Sequence, residues 1–442
     1  MALAILELND AGIRVSVDGN LVLSSPAYAV LHEDQLYVGE EGLKRVRLYP
    51  RWTNSKFWQQ LNTDSIANGT HQIRHNADLA FFHLEQIWKE INSSADEVIF
   101  AVPGSFDAQQ LGLLLGIARE CGIPVVGLVD SALVAVMEQS PFRTVMHLDI
   151  QLHDIVLSVF QRKDTIKRQE FAEITELGLN TLWDRWANIV ADLFIQNTRF
   201  DPMHEAGTEQ QLFDQLPEWI EDLSAKKAKD FTLQLNQSNH SVSVSTEKLL
   251  TACANVYPQI VQQIRNRIPD GQAVQLCLSD RFKGFPGLFD SLNLLQGCEI
   301  VQLDNMAVTQ GILNHLDSIR SDSETLSYIT HLPIDEPAVA DLNLAHSHSV
   351  VTHLLLDHTA VPLGKVFKLD ASLAHGIRQT SDQPQCTLYF RGAELLLHNH
   401  NPDGTIVNNE TVTDHIGLQP GDRIQLEDQI VHLICVEGDH GT

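Results

Sequence analysis

"DEVIFAVPGSFDAQQLGLLLGIARECGIPVVGLVDSALVAVM", residues 96–137, decides the fold class. It opens on an apolar run, "EVIFAVP", that reads as a strand, and continues through helical spacing at 107–121. A second apolar run, "PVVGLV", reads as a buried strand, and a new helix opens near Asp130. Strand and helix in strict alternation predict an α/β layered domain.

The same alternation extends in both directions. Residues 3–8 and 13–17 alternate as two strands around Asn9-Asp10-Ala11-Gly12, and "NLVLSSPAYAVLHEDQLYVGEEG" continues with short strands broken by turn residues. At 77–92, Leu79, Phe82, Leu84, Ile87, Trp88 and Ile91 share one helical face. Downstream, "RTVMHLDIQLHDIVLSVF" (143–160) places strands at 144–148 and 155–160 around Asp149-Ile150-Gln151-Leu152-His153-Asp154. Many nucleotide-binding folds use a string of glycines in such a connection, so that backbone amides cradle phosphate. This one contains no glycine. Residues 176–225 read as mostly helical, "FTLQLNQSNHSVSVS" as a hairpin around Ser238-Asn239, and 246–268 as one long helix. The strand "AVQLCLS", a helix at 286–295, the strand "CEIVQL" and a helix at 304–316 close the domain.

The composition then changes. Residues 317–348 are rich in Ser, Asp and Pro with weak periodicity, which predicts a linker. Short strand patterns recur at 349–356, 361–369, 386–390, 393–398, 405–408 and 423–436. Pro402-Asp403-Gly404 and Pro420-Gly421-Asp422 are turn signals between them, so 349–442 reads as a small β-sandwich.

Charge narrows the partners. Fifty-seven acidic against thirty basic residues leave a formal net charge of −27, which opposes nucleic acid and anionic membrane. The start "MALAILELND" has no basic n-region, and no apolar run of ~18 residues occurs, so a cytoplasmic protein without membrane insertion is expected. Six cysteines without a C-x-x-C pair read as buried thiols. His346, His348, His353 and His358 cluster, but no Cys or Glu completes a standard ligand spacing; they read as linker residues and no metal is expected. The tryptophans read as core, and no G-x-S-x-G elbow is present.

In the order of its elements, 1–316 resembles the nucleotide-binding domain of the 70-kDa, DnaK-type heat-shock chaperones, a branch of the actin and sugar-kinase superfamily. "LSSPAYAVLHEDQLYVGEEG", the opening stretch 96–137 and "LDNMAVTQGIL" carry the resemblance in collinear order. It implies a two-lobed actin-like ATPase-domain fold with ATP and magnesium between the lobes. The chemistry departs from that pattern. The family's Asp-Leu-Gly-Thr-Thr hairpin falls on Glu7-Leu8-Asn9-Asp10-Ala11, which loses both hydroxyls and places a carboxylate at Asp10. The Asp-Leu-Gly-Gly-Gly-Thr hairpin keeps Asp149 but carries Gln151, Leu152 and His153 in place of glycines. The catalytic lysine falls near Gln60, and the adenosine turn becomes "LSDRFKG", with Gly284 alone at its far end. Asp130 stands where the family orients the attacking water. Glu7, Asp10, Asp130 and Asp149 thus define a degenerate nucleotide cleft, with neither ATP nor magnesium expected and no turnover.

"LLLHNHNPDGTIVNNETVTDHIGLQPGDRIQLEDQIVHLICV" (395–436) resembles the second half of a forkhead-associated (FHA) domain. Gly404, Thr405, Val407, Asn408, Leu418, Gly421, Asp422 and Ile424 carry that resemblance. It implies partner-binding loops at Lys365, Arg378, Asp403 and Thr405. A lysine in place of the family's arginine lacks the bidentate fork, and Asp403 repels a dianion, so binding without phosphate is favoured over phosphopeptide reading. The combined expectation is a non-enzymatic adaptor, a pseudo-ATPase joined to an FHA-like sandwich, that binds protein partners in a multi-protein complex. An ATP-gated switch and a phosphothreonine reader are the alternatives.

Overall fold

The structure, a computed structural model, describes residues 2–137, 142–224, 226–235, 238–269, 272–321, 326–334, 351–356, 359–363, 366–369, 384–391, 394–400, 405–408, 410–419, 421–426 and 429–434. It is mixed α/β and divides into two units, Met1–Leu342 and Asn343–Thr442.

The first unit repeats one sheet plan. In one sheet Asn20–Ser25, Ile13–Val17 and Leu3–Glu7 form an antiparallel meander, and Glu97–Val102 and Val125–Asp130 join beyond Leu3–Glu7 in parallel. In the other, Thr165–Ile174, Ile155–Arg162 and Thr144–Ile150 form the meander, and Val274–Leu278 and Cys298–Gln302 join beyond Thr144–Ile150 in parallel. Parallel neighbours need crossovers, supplied in the first sheet by the helices Asn76–Ile91 and Ala108–Glu120. Asp107 begins the latter helix with a capping box, its carboxylate accepting from the Gln110 amide and Gln110 returning to the Asp107 amide. Strands covered by helices lose their alternation, and Val98 to Val102 are all buried. Side chains of both sheets meet in a core that includes Leu6, Phe100, Leu148 and Leu157 and continues to Trp186 and Phe194 of the helix Leu179–Thr198, and in a second cluster that includes Ile5, Ile99, Val145 and Phe160.

Several expectations need correction. The helix expected at 246–268 is two helices, Thr246–Cys253 and Tyr257–Arg265. Pro258 lacks an amide hydrogen, so it sits in a first turn and forces the break. Ser238 and Asn239 are not the hairpin turn, since they pair with Leu235 and Gln234 in the strands. The described part of the expected linker belongs to the first unit. Leu316–Ile319 is helical, Tyr328–Ile329 pairs parallel with Leu128 and Val129, and His331–Pro333 pairs with Thr165 to Lys167. These short strands join through their backbones and need no apolar periodicity beyond the buried Leu332. Residues 335–348 lie outside the described residues.

The second unit is two antiparallel sheets on one core. One runs Thr359–Pro362, His353–Leu356, Gln429–Ile434, Arg423–Leu426, Thr405–Val407 and Glu410–Thr411; the other runs Val366–Leu369, Cys386–Arg391, Glu394–Asn399 and His415–Leu418. Leu354, Phe367, Leu388, Leu397, Ile424 and Leu433 fill the space between them. His353 lies in a strand, not a linker, and His346, His348 and His358 lie outside the described residues. Cys253, Cys277 and Cys386 are buried, Cys121 and Cys298 are half-buried, and Cys435 lies outside the described residues. Trp52 is exposed rather than core. Among the described residues, no helix is long and apolar enough to cross a membrane.

Candidate functional site

In the first unit the loop 8–12, leaving Leu3–Glu7, faces the loop 151–154, leaving Thr144–Ile150. Asn9 Nδ2 donates across the gap to the Asp149 carboxylate at 2.9 Å and to the Ile150 carbonyl at 3.1 Å. In return the Leu152 amide donates to Asp10 Oδ1 at 2.7 Å. The two loops are therefore hydrogen-bonded directly to each other.

Several of their amides are occupied. Ile150 N–H donates to its neighbour Asp149 at 3.0 Å, Gln151 N–H to the Asp154 carbonyl at 2.8 Å, and Leu152 N–H to Asp10. Across the gap, Ala11 N–H donates to Asn9 Oδ1 at 2.8 Å and Gly12 N–H to the Asn9 carbonyl at 3.0 Å. These donors, already satisfied by protein acceptors, are not free to cradle an anion.

Arg281, in the turn Asp280–Phe282, enters from a third side. Its guanidinium donates to Glu7 at 2.7 Å and to the Gly12 carbonyl at 3.2 Å, and stands 3.8 Å from Asp149. The side chains of Arg281 and Glu7 are each 8% exposed, so this is a buried ion pair. Beside it Arg14 grips Asp280 bidentately, both contacts at 2.7 Å. Burial opposes ionisation of Asp149, but Arg281, with His147, Ser279 and Asn9, holds its carboxyl below the usual range. Asp10 differs. Burial, reinforced by Asp154 and Asp149, pushes its carboxyl up to about 7 against the Leu152 hydrogen bond and Arg281.

Among the described residues spaces open on both sides of these contacts, besides one of about 350 Å³ along the 151–154 loop that Lys56, His153, Asp154 and Glu176 help to line. A cavity of about 210 Å³ is lined by Asp10, Asp154, Glu173, Gln151, Trp58 and Phe106 among others, and no Lys, Arg or His lines it among the described residues. On the other side, bounded by Glu7, Asp149, Asp280, Arg281 and Asp304, only about 20 Å³ remains. Pockets for drug-sized ligands run roughly 300–1,000 Å³.

Glu7, Asp10 and Asp149 thus converge, but Asp130 does not join them. It caps the helix Ser131–Val136, accepting from the amides of Ala132 and Leu133, and pairs with Arg168. Burial pushes its carboxyl up to about 6 despite these partners. Gly104 makes room for the pair, since a Cβ there would lie 2.1 Å from the Arg168 guanidinium. Gln60 is exposed. In the second unit Thr405 is fully buried and donates to Asn399 at 2.8 Å, so its hydroxyl is used inside the sandwich and is not available to a partner. Lys365, Arg378 and Asp403 lie outside the described residues.

Sequence reasoning missed Arg281, Arg14, Asp280 and Asn9. Arg281 stood within "LSDRFKG", a segment read for its missing glycines; the available signal was an arginine in a turn adjoining two acidic strand ends. Neither a scan of protein-family models nor a search of curated proteins finds a match to this chain.

Proposed function

We propose that the first unit is an actin-like, chaperone-type nucleotide-binding domain whose cleft has closed on itself, and that the protein is a non-catalytic scaffold for a cytoplasmic protein complex. The observation that carries this reading is Arg281 between Glu7 and Asp149. On the expected correspondence Arg281 belongs to the adenosine turn, and from there it reaches Glu7, Gly12 and Asp149 at the two loops that would hold phosphate and magnesium. A fixed protein cation there neutralises the acidic strand ends that a bound metal would otherwise neutralise.

The repeated sheet plan supports the fold, because a duplicated three-strand meander with two parallel additions is the layout expected of two lobes. The occupied amides, the 20 Å³ remnant and the acidic lining of the larger cavity oppose phosphate. Phosphoryl transfer depends on positioning and charge neutralisation, and both are missing. For the second unit we propose an FHA-like sandwich that supplies a second protein contact. Its two-sheet core supports a rigid loop-bearing platform.

Recovery of proteins bound to the tagged full chain from its native cells tests the scaffold reading. Stoichiometric partners that stay bound through a MgATP wash are expected. Release of partners by MgATP, or recovery of the chain alone, would overturn it and favour the nucleotide-gated alternative.

A further inference from the structure

The second unit gathers imidazoles that are scattered in the sequence. His398 and His415 stand directly opposite each other on neighbouring antiparallel strands, Glu394–Asn399 and His415–Leu418. Leu395, Leu397 and Leu418 of the same strands are buried in the core, so the alternate positions face outward. The two imidazole rings stack at 4.2 Å with planes 3° apart. His400, two residues beyond His398, brings a third ring within 4.4 Å of it.

A carboxylate completes the group. Asp414 Oδ1 lies 2.8 Å from His415 Nδ1 and 3.7 Å from His398 Nε2. One ligand atom from each of His398, Asp414 and His415 lies within 4.8 Å of the other two. Backbone pairing fixes these positions, for the Asn399 amide donates to the Asp414 carbonyl at 2.7 Å and the His400 amide to the Gln385 carbonyl at 2.7 Å. The Thr387 hydroxyl and His400 Nε2, 2.8 Å apart, hold the third ring. Outer hydrogen bonds of this kind orient imidazoles that bind metal.

We propose that His398, His415 and Asp414 form a surface site for a borderline transition-metal ion of the zinc class. Metal–ligand distances of about 2.0–2.2 Å in a tetrahedron put ligand atoms roughly 3.3 Å apart. The observed 2.8 and 3.7 Å fall on either side of that value, and the stacked rings, whose in-plane lone pairs run parallel, must rotate apart for both nitrogens to face one ion. Two imidazoles and one carboxylate select zinc, nickel or copper over magnesium or calcium, which prefer all-oxygen shells. The stacked pair without metal is the competing account: Asp414 then serves only to hold His415.

Calorimetric titration of zinc alone into the metal-free full chain decides between them. One saturable site of micromolar affinity is expected, with no response to magnesium. H398A and H415A should each weaken it roughly tenfold or more, whereas H204A, at an exposed histidine of the first unit, should leave it unchanged. Cobalt in place of zinc should give visible d–d bands that H398A and H415A remove. Unfolding midpoints of the variants confirm that the sandwich is intact. Absence of saturable zinc binding, or binding that survives the H398A/H415A double change, would overturn the proposal.

Discussion

At the scale of single residues, the site is decided by one cation and one proton. Arg281 holds Glu7 and Asp149 together largely out of solvent, so removing it strands buried charge. Arg281→Met, close in volume, is expected to destabilise the first unit by about 3–5 kcal/mol, and Glu7→Gln in the same chain should recover part of that loss. Denaturant unfolding reads both. Asp10 gives a pH signature. Burial pushes its folded carboxyl up to about 7 from the ordinary 3.8, so native stability from this group is full at low pH and is lost as pH rises through 7. Asp10→Asn should therefore stabilise the protein by roughly 1–3 kcal/mol near pH 8 and give no advantage near pH 4. A pH-independent difference would contradict the burial of that carboxyl. Glu7, Asp10 and Asp149 were legible in the sequence, because strand-end carboxylates stand out beside missing glycines, whereas Asp280 was not. Arg281 was not, since 274 residues separate it from Glu7 and only the fold brings them together.

At the scale of elements, the connection 149–154 is locked from both sides. Asn9 and Asp10 grip it from one loop, and the start of the helix Leu179–Thr198 grips it from the other, with Gly178, Leu179 and Asn180 amides donating to the carbonyls of His153, Gln151 and Leu152. Gly178 permits that approach, as a Cβ there would lie 2.4 Å from the His153 backbone. Gly178→Ala is expected to cost roughly 1–3 kcal/mol in unfolding free energy, because either the helix or the connection must move. An unchanged midpoint would show that the helix does not lock the connection. Elements with strong periodicity were readable in advance: the strand, helix, strand and helix of 96–137 are present in that order. What sequence pattern did not carry were elements defined by backbone partners. Tyr328–Ile329 and His331–Pro333 look like linker because their place depends on a sheet edge, and the imidazole group at His398 and His415 depends on strand register.

At the scale of the whole molecule, two units with separate cores share one chain. In the Asn343–Thr442 unit Phe367, Leu397, Ile424 and Leu433 pack in a core of that unit's own residues, and domains of ~100 residues commonly fold alone. Expressed by itself it should unfold in one cooperative transition with dispersed amide NMR signals; a collapsed spectrum would contradict an independent core. The first unit's repeated sheet plan and its closed crossing carry the functional account, which stands or falls on nucleotide. The most direct test is the thermal unfolding midpoint of the full chain with and without millimolar MgATP or MgADP. A native site a thousandfold tighter than the ligand concentration would add about 4 kcal/mol. The account predicts no shift of the first unit's transition with either nucleotide, whereas a clear upward shift would mean that the crossing held by Arg281, Asn9 and Asp10 opens to admit a ligand and that the scaffold reading is wrong.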